Sequence, residues 1–367
     1  MMPVLTEMPT PIWISDSASL AAAMQTCSEI VGIDTEFLRT DTFFPIAGLF
    51  QLSTRQQVYL LDPLQDMDFG PLVRLLENAA VIKVMHACGE DLELFWHRLR
   101  VRPVNVFDTQ LAYAYQEPRY SIGFVGLVEA VLGLKLSQSE TRSDWMRRPL
   151  SSAQVHYAAE DVWYLLPLFE FLHTGLVRLH RDAWYAEDIL KYTYHQPEDP
   201  TEYYRHVNRA WLLGDESLGR LQDLCAWRES SARQLDMPRR RLVLDEQLFE
   251  LAQIQSLDES DLSAILSPGA QRRYGKELLR THAESHSQPA PIDAPLTPAE
   301  GKQLRRLREV AVAAAEQVKI APELIARKRD LEALYRTYRQ SGQLDTHYSG
   351  WRREVVGERL LTMLREF

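Results

Sequence analysis

The chain has 367 residues, 46% of them hydrophobic, a formal net charge of −10, and three cysteines, Cys27, Cys88 and Cys225, set far apart. That length exceeds what one core usually serves, so two or three domains are expected. The scattered cysteines exclude a disulfide framework and a paired zinc motif, and neither a signal-peptide pattern in residues 1–10 nor a membrane-length apolar run is present, so a cytoplasmic protein without a membrane partner is expected.

The acidity would ordinarily count against a nucleic-acid partner. It is unevenly spread, however: residues 1–200 carry 15 Lys and Arg against 26 Asp and Glu, whereas the remainder carries 26 against 25. A carboxylate surplus in the first half fits either cation binding or a solubilising surface.

Along the chain, Trp13-Ile14 reads as a short strand and 17–27 as an Ala-rich helix. Three extended runs follow, 30–37, 48–53 and 58–61, joined by short polar connections as in an antiparallel meander. The pattern then alternates: helix 68–77, strand 81–85, helix 90–99, strand 104–107, and helices from Thr109 and Ser121. A meander followed by β-α alternation implies a mixed sheet covered by helices, an α/β domain.

The run Ile30-Val31-Gly32-Ile33 ends in Asp34-Thr35-Glu36. Residues two apart on a strand share a face, so Asp34 and Glu36 aim two carboxylates at one spot while Thr35 faces the other way. Two such charges stay ionised together only with cations between them, and hard oxygen ligands suit Mg²⁺ or Mn²⁺. Asp91 falls in the first turn of helix 90–99, whose Leu92, Phe95, Trp96 and Leu99 form a core stripe; alone, it reads as a complement to the helix dipole. Asp108 reads as an N-cap.

Ser151-Ser152-Ala153-Gln154 is a capping box, so a helix starts there and runs on toward Phe171. Val155, Ala159, Val162, Leu166 and Phe169 supply its buried stripe, while Tyr157 and Asp161 stand one turn apart on another face.

The segment 195–200 has two prolines and no periodicity and is expected to be a linker. Residues 203–283 read as helices only, 284–298 as a second linker, and 299–367 as another all-helical block, with Pro322 at a helix start. Basic clusters at Arg239-Arg240-Arg241, Arg272-Arg273, Arg305-Arg306 and Arg327-Lys328-Arg329 are candidate phosphate contacts or simply solvated faces. The P-loop spacing fails at Gly269 and Gly275-Lys276, where Glu277 replaces the Ser or Thr needed for magnesium, so no nucleotide cofactor is expected. Nucleophile-elbow and zinc-peptidase motifs are missing.

The order Asp34-x-Glu36, Asp91, then Tyr157-x-x-x-Asp161 resembles the three exonuclease motifs of the DEDD superfamily in its tyrosine-bearing branch. The surrounding wording narrows this: residues 31–37, Lys83-Val84-Met85-His86-Ala87, Ser139-Glu140-Thr141-Arg142-Ser143-Asp144-Trp145, Arg148-Pro149-Leu150 and 157–166 resemble the bacterial ribonuclease D family. The helical blocks resemble the HRDC module through Trp227-Arg228-Glu229 and Asp236-Met237-Pro238 in the first, and Arg329-Asp330-Leu331 and Gly350-Trp351-Arg352 in the second.

The resemblance implies an RNase H-like α/β exonuclease domain over 1–195, a mixed sheet flanked by helices, followed by two all-α HRDC domains, 203–283 and 299–367, joined by the linker 284–298. It implies hydrolytic 3′→5′ removal of nucleotides from RNA, typically the 3′ trailer of tRNA precursors, with release of nucleoside 5′-monophosphates. In such a two-metal site, with two Mg²⁺ or Mn²⁺ ions about 3.5–4 Å apart, Asp34 is assigned to bridge both ions, Glu36 and Asp161 to the water-side ion, and Asp91 to the second. Phenols ionise at about pH 10, so Tyr157 is expected to orient the attacking water rather than deprotonate it. Thr35, Phe37 and His86 are the expected substrate contacts, Phe37 beside the terminal base. The HRDC blocks would hold the RNA body, and the protein is expected to act as a monomer. The competing readings are a non-catalytic RNA-binding scaffold, disfavoured because a scaffold has no use for crowded anions, and a DNA 3′→5′ exonuclease of the Werner type.

Overall fold

The structure, a computed structural model, describes residues 7–137, 140, 142–193 and 198–367. Ser139 and Thr141 of the motif wording, and 195–197 of the first expected linker, lie outside these. Two compact units emerge: residues up to 38 with 47–195 and 296–367, and 39–46 with 196–295.

The first unit is built on a six-stranded sheet. Its strands are β1 (Ile12–Ile14), β2 (Ile30–Leu38), β3 (Ile46–Ser53), β4 (Val58–Leu61), β5 (Ile82–Met85) and β6 (Val106–Asp108), in the order β1-β4-β3-β2-β5-β6. β3 and β4 are antiparallel with Phe50 opposite Leu61, whereas β2 runs parallel to β5 with Ile30 opposite Ile82, and β5 parallel to β6. The sheet is therefore mixed, as expected, and β2 lies inside it.

Helices cover both faces. Val31 and Ile33 of β2 point to one face, packed with Leu20 of α1 (Ser17–Gln25), Leu72 of α2 (Gly70–Glu77) and Phe95 of α3 (Gly89–Leu99). The other face packs against α4 (Thr109–Ala114), α5 (Phe124–Leu132), α6 (Ser152–Trp163) and α7 (Leu165–Arg178), followed by α8 (Asp182–Thr193). The period-2 alternation of β2 thus separates an apolar face from the face bearing Asp34 and Glu36.

Several boundaries move for local reasons. α2 starts at Gly70 rather than Asp68, because the Asp68 carboxylate accepts the Gly70 N–H at 2.8 Å and Pro71 occupies the first turn. α5 starts at Phe124 rather than Ser121, since the Ile122 carbonyl is taken by the side chains of Gln110 and His86. The capping box at Ser151 forms as expected. The single helix expected beyond it breaks at Tyr164, because Pro167 has no N–H for the Trp163 carbonyl and its ring would crowd that group.

Residues 296–367 belong to this unit rather than standing apart. They form α13 (Pro298–Val318), α14 (Pro322–Ile325), α15 (Lys328–Ser341) and helical turns over 350–365. The Ala321 N–H donates to the Ala114 carbonyl at 2.9 Å, and the Arg181 guanidinium donates to the carbonyls of Val318, the last residue of α13, and of Lys319, which caps it, a cation at a helix C-terminus. Trp184 stacks on Trp351 at 4.9 Å between ring centres. At the centre of this packing, Arg352 donates to both oxygens of Asp188 at 2.8 and 2.5 Å, and the Tyr115 hydroxyl donates to the same carboxylate at 2.5 Å. Burial pushes the Asp188 carboxyl up, but the Arg352 hydrogen bonds and charge more than reverse it and leave it below the usual range.

The second unit holds 3₁₀ turns at Pro200–His206 and Ala210–Leu212, then α9 (Asp215–Gln234), α10 (Asp245–Gln253), α11 (Glu259–Ile265) and α12 (Pro268–Ala283) around one apolar core. The stretch expected to be a free linker after 283 is laid against α9: the Ser285 and Ser287 hydroxyls both donate to Asp223 at 2.6 Å, and the Tyr204 hydroxyl donates to the Ala290 carbonyl. No helix among the described residues is long and apolar enough to cross a membrane.

Removing one partner of a buried ion pair leaves the other charge uncompensated, at a cost of about 3–5 kcal/mol. Arg352→Ala is therefore expected to lower the unfolding free energy of the full chain by about that amount, read from the urea midpoint at unchanged slope.

Candidate active site

Three elements carry the expected site residues. Asp34 and Glu36 lie in the second half of β2, Asp91 in the first turn of α3, and Tyr157 and Asp161 on α6. Single carboxylate oxygens of Asp34, Glu36 and Asp161 all lie within 4.8 Å of one another. Asp91 stands outside that trio, yet its carboxyl is raised by Asp34 next after burial.

Asp34 acts on each of the other three carboxyls. Burial first and then the Asp34 charge raise Asp91, Asp161 and Glu36 alike; Glu36 also feels Asp161 and Asp91 and is pushed up to about 10. Asp34 itself is pushed up to about 6, mainly by burial. Three carboxyls within ion-binding range of one another, with Asp91 close enough to be raised by Asp34, cannot all ionise in isolation and offer hard oxygen donors that fit a divalent cation.

The local sequence explains why α6 comes so close. Gly32 lies two residues before Asp34 on the same face, and a Cβ there would stand 2.7 Å from the Val162 carbonyl oxygen. That carbonyl accepts the Ser53 hydroxyl of β3 at 2.6 Å, which pins α6 to the sheet one residue past Asp161. A glycine inside a strand marks such an approach, so this signal was legible at Gly32. The second support is Arg148, which donates to both oxygens of buried Asp62 at 2.9 and 2.6 Å and to the carbonyls of Trp145 and Gly48. It fixes the segment that sets Trp145 against Tyr157, their ring centres 6.1 Å apart. The Tyr157 hydroxyl in turn bonds to Asp161 and favours its ionised form.

The three expected substrate contacts fare differently. Thr35 is buried, and its hydroxyl donates to Asp91, so it braces a carboxylate rather than meeting substrate. Its alternate direction on β2 is the reason: it reaches α3 while Asp34 and Glu36 reach α6. His86 is held inside the protein, its Nδ1 bonded to the Thr109 hydroxyl at 2.9 Å and its Nε2 to the Ile122 carbonyl at 3.0 Å. Phe37 is half-buried against the apolar core beside β2. Asp108 caps α4 through the Leu111 N–H, and also accepts the Cys88 N–H where α3 begins.

A mixed sheet with helices on both faces, two carboxylates on an inner strand and further carboxylates and a tyrosine on the flanking helices, has the make-up of a 3′–5′ exonuclease. The family model described as 3′-5′ exonuclease matches residues 11–176, and that of the HRDC domain matches 217–281. A ribonuclease D of Pseudomonas paraeruginosa is 40% identical over 368 residues, covering 96% of this chain and 97% of its own. The ribonuclease D of Escherichia coli K12 is 31% identical, covering 95% and 96%. The crystal structure of E. coli RNase D, an exoribonuclease involved in structured RNA processing, superposes with a TM-score of 0.90 at 30% identity over 98% of this chain and all of that one. The chain belongs to the ribonuclease D family of exoribonucleases.

This geometry sets two expectations. Gly32→Ala forces α6 away from β2; a displacement of about 1 Å costs on the order of 100-fold in rate, so kcat on single-stranded RNA is expected to fall by about that factor. The second concerns pH. A carboxyl whose pKa is raised on folding contributes stability that is complete below its unfolded value and lost as pH rises through its folded one. For Asp34 that window runs from about 4 to about 6, and Glu36 extends it upward. A cation that binds the ionised cluster removes this penalty, so the melting-temperature gain from added Mg²⁺ or Mn²⁺ over chelator is expected to grow from pH 5 to pH 8. An Asp34→Asn variant should show a flatter gain in the same melts.

Proposed function

We propose that the chain is a two-metal-ion 3′→5′ exoribonuclease that trims the 3′ trailer of tRNA precursors and other small structured RNAs, releasing nucleoside 5′-monophosphates. The carrying observation is the place of Asp34: it is the carboxylate that acts electrostatically on all the others, as a ligand shared by two cations would. A pair of divalent cations, Mg²⁺ or Mn²⁺, supplies water activation at neutral pH and neutralises charge on the departing 3′ oxygen.

The protein's own groups do the rest. Asp34, Glu36 and Asp161 would hold one cation and Asp34 with Asp91 the other, so that Asp34 would serve both. Thr35 fixes the Asp91 rotamer, which keeps that carboxylate aimed at Asp34. Tyr157, held by its bond to Asp161, directs its hydroxyl at the attacking water and orients it. Phe37, half-buried against the apolar core, would meet the terminal base only with the part of its ring left exposed at the end of β2.

The structured-RNA substrate class is supported by the likeness to E. coli RNase D, itself involved in structured RNA processing, and by the HRDC match. Residues 299–367 are read as a second HRDC module on their all-helical make-up and the Gly350-Trp351-Arg352 wording. A cytoplasmic monomer is the simplest setting for a chain with three free, buried cysteines.

The test is degradation of 3′-labelled RNA and DNA of one sequence, with Mg²⁺, with Mn²⁺ and with chelator. Wild type is expected to release labelled 5′-monophosphate from RNA only with metal, and Asp34→Asn to fold normally with turnover reduced at least about 1000-fold. Equal rates on DNA would shift the assignment to a DNA exonuclease, and turnover in chelator would remove the metal site.

A further inference from the structure

Asp108 reads from the sequence as an N-cap, yet its carboxylate starts two helices. It ends β6, opposite Met85 at the end of β5, and is fully buried. Its Oδ1 accepts the Leu111 N–H at 2.9 Å and caps α4, while its Oδ2 accepts the Cys88 N–H at 2.9 Å, where β5 turns into α3. The Cys88 thiol, kept protonated by burial first and then by the Asp108 charge, bonds to the same carboxylate. Asp108 is pinned in turn: its own N–H donates to the Tyr185 hydroxyl of α8 at 2.7 Å.

That hold falls where α3 has least support of its own. Cys88 is the N-cap residue of α3, and its side chain makes no capping bond to the first turn, the part of a helix most prone to fray. The turn 86–88 ahead of the helix passes through Ala87, whose φ of 52° is left-handed. Asp91, the carboxylate that α3 supplies to the cluster, follows within that first turn, and the Leu92 N–H closes the turn on the Cys88 carbonyl at 3.0 Å. Thr35 bonds the Asp91 carboxylate from β2, which sets its rotamer but not the height of the helix that carries it.

We propose that Asp108 is a positioning residue for hydrolysis: by holding the Cys88 N–H at the foot of α3, it fixes the height at which Asp91 meets Asp34 and the cation they share. This rests on the exonuclease reading above. All the groups involved lie in the unit that contains the sheet. Charge does not supply the role, since Asp108 disfavours ionisation of Asp91; what it supplies is an acceptor in a set place. Metal-ligand geometry tolerates only about 0.5 Å of error, less than the rise of one helical residue, about 1.5 Å. A loosened first turn is therefore enough to spoil it.

The test uses the full chain, a single-stranded RNA oligomer too short to fold, and excess Mg²⁺, with amide hydrogen exchange of the metal-free chain as a second readout. Wild-type turnover, absent in Asp34→Asn, reports on the exonuclease reading itself, while the ratio of variant to wild type reports on Asp108. In Asp108→Ser the hydroxyl still caps α4, but no second oxygen is left for Cys88. Its kcat is expected to fall about tenfold or more with KM within about twofold. The amides of 89–95 are expected to exchange about tenfold faster or more, those of α6 at the wild-type rate. Asp108→Asn keeps the size and the α4 cap, which Asn serves well, but turns an amide N–H toward the Cys88 N–H, and is expected to slow turnover likewise. Wild-type kcat in either variant overturns the proposal. So does a slow enzyme whose α3 exchanges as in wild type, or a defect confined to KM. If melting curves show that Asp108→Ser does not fold, Asp108→Asn decides alone.

Discussion

Mutual repulsion among carboxylates is the constraint on which the catalytic body depends. Two unit charges 4.8 Å apart interact by roughly 3 kcal/mol at an effective dielectric near 20, more than a typical hydrogen bond returns, about 1 kcal/mol. Asp34 faces that cost toward several neighbours at once. The cluster therefore survives only because surrounding structure forces it together and because protons or cations share the charge. The forcing groups are identifiable: Gly32 admits α6, Ser53 pins it, and Thr35 braces Asp91 from the far side of the strand.

The chemistry was legible in the sequence, while the tolerances were not. Alternation along β2 placed Asp34 and Glu36 on one face, and the capping box at Ser151 placed the start of α6, because both are local rules with short periods. The same alternation rule pointed Thr35 away from the site but said nothing of what it would meet, since Asp91 lies 56 residues on. His86 is bonded by the Thr109 hydroxyl at the start of α4 and by the Ile122 carbonyl ahead of α5, partners whose approach no local pattern encodes. The break at Tyr164 was encoded, in Pro167, but an otherwise strong apolar periodicity concealed it.

Composition misleads most in the helical half. Clusters of Arg and Lys there suggested phosphate contacts, yet many are engaged within the protein: Arg239 with Glu229, Arg241 with Asp41, Arg306 with Glu366, Arg327 with the Tyr120 hydroxyl. Arg327 also illustrates a difference between the two helical blocks. Residues 296–367 complete the core of the catalytic body through Arg352, Trp351 and Ala321, whereas 196–295 form their own core and take in a short stretch of the catalytic sequence. Similar helical composition thus serves two purposes, and only the location of buried charge separates them.

β2 is where these demands meet. Its middle is set by close backbone approach at Gly32, its polar face by Asp34 and Glu36, and its apolar face by Val31, Ile33 and the Thr35 bond. The Gly32 and Thr35 contacts join residues far apart in the chain, so they exist only in the assembled fold. A nine-residue strand tied in this way has little freedom left to adjust when a substrate arrives. Precision in the carboxylates is therefore a property of the assembled sheet and its helices, and a fragment holding the motifs alone would carry the right groups without the distances that make them useful.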